Sequence, residues 1–473
     1  MDGSVNRDGV VAFHSSSGVE ISGTLVRLDR HLVVFEVYSP ILILHMSESL
    51  DEFVVTVRDR RVFTGRAVVK NLIATGALTV VEVSINEGWL EQNLFEGGDW
   101  KKRLGTAFQD VVTGLHDRYR IRPEFKVVVA DMQTALMDLR QWLEQVELGI
   151  RSAPSGDRNA LEQEVAAQLG PAMTSVLTTL FEKFEAAAAN IDEELIPAHT
   201  AFARRQLHPL LLCSPFLYRC FTKPLGYAGD YEMVNMILRS PYEGGSLFAK
   251  LVNLWFLCQA PAEAHRNRVD YLCQKLVEET VRAAAQGKRA RVFNVACGPA
   301  GEVQRFLREH ELSGKVDFTL LDFNEETLQY GASVLTAAKE QSSRNTGLSF
   351  QKRSIHQLLK EAGRSVAQTP DRLYDVVYCA GLFDYLADPV CKKLFGVLYE
   401  YLAPGGVLIT TNVDDSNPRR LTMEYIMEWR LIYRTGKQMV NLRLERLPPE
   451  ATRVTSDLTG VNLYCETRKP ASA

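Results

Sequence analysis

Arg291-Val-Phe-Asn-Val-Ala-Cys-Gly-Pro-Ala-Gly301 is the stretch whose reading decides the fold. Val292, Phe293 and Val295 make the apolar run of a strand covered on both faces, and Cys297-Gly298-Pro299 breaks it. From Glu302 to Glu309 the spacing turns helical, with Val303, Phe306 and Leu307 on one face. A strand, a turn of small residues and a helix in that order form the first unit of a Rossmann-like sheet. Its ligand is expected at the carboxyl end of the strand.

Moving downstream, Val316 to Asp322 is a second strand that ends in a carboxylate about 20 residues past the turn, where ribose hydroxyls are held in such folds. Helix Glu325 to Lys339, strand Leu348 to Ser354, strand Tyr374 to Ala380, helix Pro389 to Leu402 and strand Val407 to Asn412 follow. That alternation predicts a doubly wound α/β domain. The turn lacks the Gly-x-x-x-x-Gly-Lys-Ser/Thr of a phosphate loop, and Ala296 and Ala300 stand where a close pyrophosphate would favour glycine. A nucleoside ligand without phosphates fits better.

Upstream, the pattern from Gly9 to about Trp89 is β. Runs at Val19–Leu28, Leu32–Tyr38, Phe53–Val57, Val62–Val69 and Leu78–Ile85 have no helix between them, which predicts a small barrel or sandwich. This segment resembles a PilZ-type barrel, whose functional form binds cyclic di-GMP through an arginine pair and an Asp-x-Ser-x-x-Gly stretch. Arg58, Arg60 and Arg61 supply arginines, but Asp29-Arg-His-Leu-Val-Val34 has neither the serine nor the glycine. A docking or structural role is therefore expected, with a protein partner at the barrel. Trp100 to Asn190 reads as an antiparallel helical pair joined by the polar turn Arg151–Asp157. His208 to Pro224 is too proline-interrupted for one long helix. In Leu225-Gly-Tyr-Ala-Gly-Asp-Tyr-Glu-Met233, either the glycines flanking Tyr227 and Ala228 fold over a ligand, or Asp230 caps the helix Tyr231–Leu238; spacing alone favours the cap. The expected division is a barrel at 1–98, a helical cap at 99–285 and the Rossmann-like part at 286–473.

The chain has 473 residues, enough for two or three cores, and a formal net charge of -4 that gives no reason to propose nucleic acid as a partner. Its eight cysteines include no Cys-x-x-Cys pair, so neither a zinc site nor a disulfide framework is expected. No His-Glu-x-x-His or carboxylate cluster suggests another metal. Without a signal-like start or a long apolar run, a cytoplasmic protein with no integral membrane segment is expected.

Asn294-Val-Ala-Cys-Gly-Pro299, Leu321-Asp322, Tyr374-Asp375 and Leu402-Ala-Pro-Gly-Gly406 together resemble the motifs of class I S-adenosylmethionine-dependent methyltransferases. The resemblance implies that cofactor, held by Asn294, Ala296, Gly298, Pro299, Asp322, Phe323, Ser354, Ile355, Cys379 and Gly381. One residue departs: Asn294 replaces the usual acid at the end of the first strand, and an amide accepts a hydrogen bond without offering charge. More narrowly, Lys223 to Met233, Ala296 to Ala300 and Cys379 to Leu386 resemble bacterial 3-hydroxypalmitic acid methyl ester biosynthesis proteins, over roughly residues 195 to 470. That likeness draws the Tyr227–Tyr231 loop into the site and reverses the preference for a mere cap.

On this reading Tyr227, Asp230, Asp384 and Tyr385 are the catalytic candidates, with Asp384 equally readable as a cap of the turn after its strand. Tyr231, Tyr425, Arg430 and Tyr433 are the substrate-binding candidates. Tyr425, Trp429 and Tyr433 recur every four residues along an expected helix Leu421–Thr435, a stripe that is more often core than contact. Arg430 beside them has the chemistry to hold an anionic head group. The acceptor is expected to be a small carboxylic acid such as a 3-hydroxy fatty acid. Its carboxylate is already ionised near neutral pH and needs no general base to become a methyl ester; a hydroxyl or amine acceptor would need one, and His356 reads as a loop residue rather than a base. The other readings are an intramolecular displacement on the cofactor that yields methylthioadenosine, and a signalling adaptor that binds cofactor without turnover.

Overall fold

The computed structural model describes residues 9–16, 18, 20–29, 31–38, 44–57, 60–75, 78–85, 99–102, 104–106, 108–109, 112, 121–152, 158–362 and 373–471. Arg58 and most of the predicted turn Arg151–Asp157 lie outside them. The β-rich segment closes into a six-stranded barrel in the order β1-β2-β3-β6-β5-β4. Its strands are β1 (Gly9–His14), β2 (Glu20–Asp29), β3 (Leu32–Tyr38), β4 (Ser49–Val57), β5 (Arg60–Thr75) and β6 (Leu78–Ile85). Antiparallel pairing of β1 with β4 completes the ring. Alternation sends Val33, Phe35 and Val37 inward, where Phe35 meets Phe13 at 5.4 Å and Phe53 at 5.8 Å between ring centroids.

Two long helices, Pro123–Ser152 and Arg158–Ala188, form the expected hairpin, and proline at the first position starts the former earlier than its apolar stripe suggests. The proline-rich stretch is two helices, Ile196–Leu211 and Pro215–Thr222, the second capped by Ser214, whose side chain accepts the Leu217 N–H at 3.2 Å. Helix Leu247–Leu257 is buried at every residue but Lys250 because it runs through the middle of this layer, with Trp255 stacked on Phe181 at 4.0 Å. Helix Ala260–Ala285 then leads to the sheet.

The second half is a seven-stranded sheet in the order β12-β13-β11-β10-β7-β8-β9. The strands are β7 (Ala290–Val295), β8 (Val316–Asp322), β9 (Gly347–Lys352), β10 (Tyr374–Cys379), β11 (Leu402–Val413), β12 (Thr452–Ser456) and β13 (Asn462–Arg468). From β9 to β11 all neighbours are parallel, and β13 pairs antiparallel with both β11 and β12. This is the Rossmann-like arrangement the sequence predicts, extended by a C-terminal antiparallel pair it does not. Strand order reverses between β7 and β10, which puts the ligand crevice at their carboxyl ends.

One predicted element is shorter than expected. The helix begun at Arg420 ends at Ile426, because Glu428 takes a left-handed backbone (φ 53°) and the Trp429 N–H returns to the Met423 carbonyl at 2.9 Å. A left-handed residue just past a helix end is usually glycine.

Candidate active site

A cavity of about 1090 Å³ opens at the crevice, with walls from the sheet, the helical layer and the barrel. On the sheet side, β7 runs out at Val295 into a turn in which Ala296, Gly298 and Ala300 all have left-handed backbones, at φ 55°, 53° and 50°. A Cβ placed on Gly298 would meet nothing within 4 Å, so this residue presents bare backbone to open space. From the neighbouring strand, Asp322 Oδ2 accepts the Gly298 N–H at 3.2 Å and Oδ1 accepts the Asn324 N–H at 3.0 Å. Burial pushes the Asp322 carboxyl up to about 6.

Asn294 has an acidic partner that its sequence position does not reveal. Its Nδ2 donates to Glu302 Oε1 at 3.1 Å, and the Tyr378 hydroxyl donates to the same oxygen at 2.6 Å. Glu302 is buried in the cavity wall, and burial raises its carboxyl. The acid missing from the strand is thus supplied by the first turn of the next helix, where a sequence reader sees only an ordinary helix start. Arg268 is the second residue that sequence reasoning missed. It lines the cavity from helix Ala260–Ala285, with Nη1 3.0 Å from where a Cβ on Gly381 would sit. Arg268 makes no hydrogen bond or ion pair with any described residue, and nothing marks it out among the arginines of that helix.

Ala296, Gly298, Pro299, Phe323, Ser354 and Ile355 all line the cavity with Asp322 and Asn294. Cys379 does not; it is fully buried at the end of β10, and Tyr378, Ala380 and Gly381 form the wall there. Asp384 lines the cavity as an internal tie rather than a turn cap: Oδ1 accepts the Val413 N–H at 2.6 Å, and burial lifts its carboxyl to about 6. Tyr385 lines it too, with its hydroxyl accepting the Trp429 Nε1–H at 2.9 Å and its phenol pushed up by burial.

The glycine loop divides its two readings between its residues. Tyr227, Ala228 and Gly229 lie in the wall, with the Tyr227 ring 5.2 Å from that of Phe323. A Cβ on Gly229 (φ 80°) would come within 2.7 Å of the Tyr385 hydroxyl, so glycine is needed for the loop to close here. Asp230 is the helix cap, accepting the Met233 N–H at 2.8 Å, and it is held by Arg219 Nε at 2.8 Å; it is buried away from the cavity wall. Tyr231 is in the wall and donates to Glu326 at 2.8 Å.

Tyr425, Arg430 and Tyr433 are not brought to the cavity. Tyr425 packs on Phe184 in the helical layer at 5.9 Å, Arg430 pairs with Glu424 at 2.7 Å, and Tyr433 lies under Arg420 at 4.5 Å. The early end of their helix is the reason. Past Glu428 the four-residue repeat no longer defines a face, and Met423, Met427, Trp429 and Leu431 line the cavity instead.

The remaining wall comes from the barrel, through Ser15, Ser16, His45, Met46 and Glu48 among others. Backbone bonds fasten it: the Met46 N–H donates to the Tyr385 carbonyl at 3.2 Å, and the Ser49 N–H to the Gly226 carbonyl at 2.6 Å. Beneath them Glu428 is buried between Arg204 at 3.1 Å and Arg66 at 4.0 Å, and it accepts the Ser84 hydroxyl at 2.8 Å. Burial alone would raise the Glu428 carboxyl, but Arg204, Lys223 and Arg66 outweigh it and bring it down to about 2. Burial also lowers Lys223 to about 7. An expected appendage is therefore joined to the rest of the chain by a buried charge cluster. Among the described residues no group of His, Cys, Asp and Glu is placed to hold a metal ion, and no helix is long and apolar enough to cross a membrane.

A family model described as a methyltransferase domain matches residues 286–445, so the chain carries such a domain in its second half. No curated protein matches the chain. Among solved structures it is similar to a "possible exported protein" from Bordetella parapertussis, at 18% identity over 54% of this chain and 86% of that one, with a TM-score of 0.41. It is also similar to magnesium protoporphyrin IX methyltransferase from Synechocystis PCC 6803 with bound SAH, at 13% identity over 44% and 84% of the two chains and a TM-score of 0.31. A third is the N-methyltransferase NodS from Bradyrhizobium japonicum WM9 in complex with S-adenosyl-L-homocysteine, at 14% identity over 51% and 98%, with a TM-score of 0.30. At these identities and scores none of them assigns an acceptor to this chain.

Proposed function

We propose that the chain is an S-adenosylmethionine-dependent methyltransferase that esterifies the carboxylate of a small hydroxylated acid, of the 3-hydroxy fatty acid kind. The cofactor supplies a methyl group made electrophilic by the sulfonium to which it is bonded. The residues present suit it: Gly298 leaves space, Asp322 is a buried carboxylate fit to receive ribose hydroxyls, and the turn is not the glycine-rich cradle of a phosphate loop. Glu302, held by Asn294 and Tyr378, and the unpaired Arg268 offer opposite charges for the amino and carboxylate groups of an amino-acid moiety or of an acid. Met423, Met427, Trp429 and Leu431 give the apolar wall that an acyl chain needs and that keeps water from the displacement.

The observation that carries the carboxylate reading is the state of the candidate bases next to the sheet. Asp384 is committed to the Val413 N–H, Tyr385 to the Trp429 N–H, and the Tyr227 and Tyr385 phenols are raised by burial. The two phenols are therefore not poised to take a proton near neutral pH, and Asp384, lifted to about 6, has Oδ1 held by the Val413 N–H; a carboxylate acceptor asks for no base at all. Alignment and desolvation are then what the protein contributes. Incubation with methyl-labelled S-adenosylmethionine and long-chain 3-hydroxy acids should give a base-labile methyl product and S-adenosylhomocysteine. Label found only on amines or hydroxyls would sink the ester reading, and methylthioadenosine as the nucleoside product would replace it with intramolecular displacement.

A further inference from the structure

His45 stands on the barrel side of the cavity, between β3 and β4. Its backbone N–H donates to Glu48 Oε2 at 2.8 Å, and its ring Nδ1 lies 3.4 Å from the same oxygen. Glu48 is almost fully buried and is fixed further by Ser16, whose N–H and hydroxyl donate to Oε1 at 2.8 and 2.7 Å. Burial would raise the Glu48 carboxyl, but its contacts with His45 and Ser16 outweigh that and keep it low, so it faces His45 as a carboxylate. A carboxylate beside Nδ1 selects the tautomer with the proton there and leaves a lone pair on Nε2. That Nε2 has no partner among the described residues and touches no open space, so a ligand group reaches it only when the ring turns toward the cavity. An unfilled buried acceptor is costly, a reason to look for the ligand group that fills it.

The position of the pair says which ligand. Met46, next in the chain, donates to the Tyr385 carbonyl, so His45 adjoins the loop after β10 and lines the same cavity as the turn at Gly298. A lone pair repels a carboxylate and welcomes a donor. We propose that His45, oriented by Glu48, is a substrate-binding residue whose Nε2 accepts a hydrogen bond from a hydroxyl group on the methyl acceptor. The barrel then selects the acceptor instead of reporting on a separate signal. This rests on the reading of the acceptor as a hydroxylated acid, and it adds the group that recognises the hydroxyl.

The test uses the full chain saturated with S-adenosylhomocysteine, titrated calorimetrically with a long-chain 3-hydroxy fatty acid and with the same acid lacking the hydroxyl. The wild type should bind the hydroxy acid about tenfold more tightly, since a site built around a hydroxyl is left with an unpaired group by the analogue. His45→Leu should erase that preference while its affinity for the unsubstituted acid and for S-adenosylhomocysteine stays unchanged, which also shows that the variant is folded. His45→Gln, which keeps an acceptor oxygen, should restore part of the preference. Equal binding of the two acids by the wild type, or a preference that survives in His45→Leu, overturns the proposal even if a methyl ester forms. Preference together with methylation at the hydroxyl keeps His45 at the substrate and overturns the ester reading alone. Binding of neither acid overturns both.

Discussion

The turn Ala296–Ala300 and the barrel wall around His45 line one cavity, yet the first is five consecutive residues and the second sits some 250 positions away in the chain. On the cofactor side, shape comes from backbone: three left-handed residues and one carboxylate that accepts a turn N–H. On the barrel side it comes from docking, with Met46 on Tyr385, Ser49 on Gly226 and a buried acid among three cations. A pre-shaped turn keeps its form when a distant residue changes. A docked wall depends on whatever holds the pieces together.

The sharpest way to break that contrast is at Glu428. Replacing it with Gln leaves Arg204, Arg66 and Lys223 buried without their counter-charge, and the variant should lose about 3–5 kcal/mol in denaturant unfolding. Loss of the acceptor side with S-adenosylhomocysteine binding intact is the expected pattern in whatever fraction stays folded. Next comes Gly298→Leu, which fills the space in front of the turn. Affinity for S-adenosylhomocysteine should fall at least about a hundredfold, or roughly 2.7 kcal/mol, while the circular dichroism spectrum stays native. Unimpaired binding would mean the ligand lies elsewhere.

A smaller effect is expected from pH. Ribose hydroxyls donate to an ionised Asp322, whereas in the free protein this carboxyl holds its proton up to about pH 6. S-adenosylhomocysteine affinity should therefore weaken by up to about tenfold per unit as pH falls below about 6, with proton release on binding seen by calorimetry in buffers of different ionisation heat. Asp322→Asn should flatten the curve. The sign for stability is opposite to that of an ion-paired acid. The folded value lies above the unfolded one, so the contribution of Asp322 is greatest below about pH 4 and is lost as pH rises through about 6. The smallest change is Ala296→Gly. It relieves a left-handed alanine at up to about 1 kcal/mol, offset in part by the entropy of the unfolded chain, and a shift in Tm of a few degrees or less measures the balance.

The same contrast explains what could be read from the sequence. The five parallel strands and the turn were legible because each is a local pattern of apolar runs, small residues and helical spacing. Glu302 was not, since an acid in the first turn of a helix is ordinary until Asn294 and Tyr378 converge on it. Arg268 and His45 carry no local signal at all. Tyr425, Arg430 and Tyr433 were misplaced by carrying a period of 3.6 past Glu428, whose left-handed backbone is invisible where the residue is not glycine or asparagine. The closing strands β12 and β13 escaped because Asn462-Leu-Tyr-Cys-Glu-Thr-Arg468 shows no clean alternation; it is buried at most positions by its place between two other strands.

That place has a consequence for biosynthesis. β13 follows the other described strands in chain order, yet it is hydrogen-bonded between β11 and β12 inside the sheet. Until it leaves the ribosome, one side of β11 has no neighbour and β12 has no sheet to join. The barrel, by contrast, has all its strands by Ile85 and can close while most of the chain is still unmade. The growing polypeptide thus finishes the barrel early and completes the sheet only once β13 has been made. An exposed edge on β11 in the interval is a template for wrong pairing, and a chaperone is of most use to this protein then.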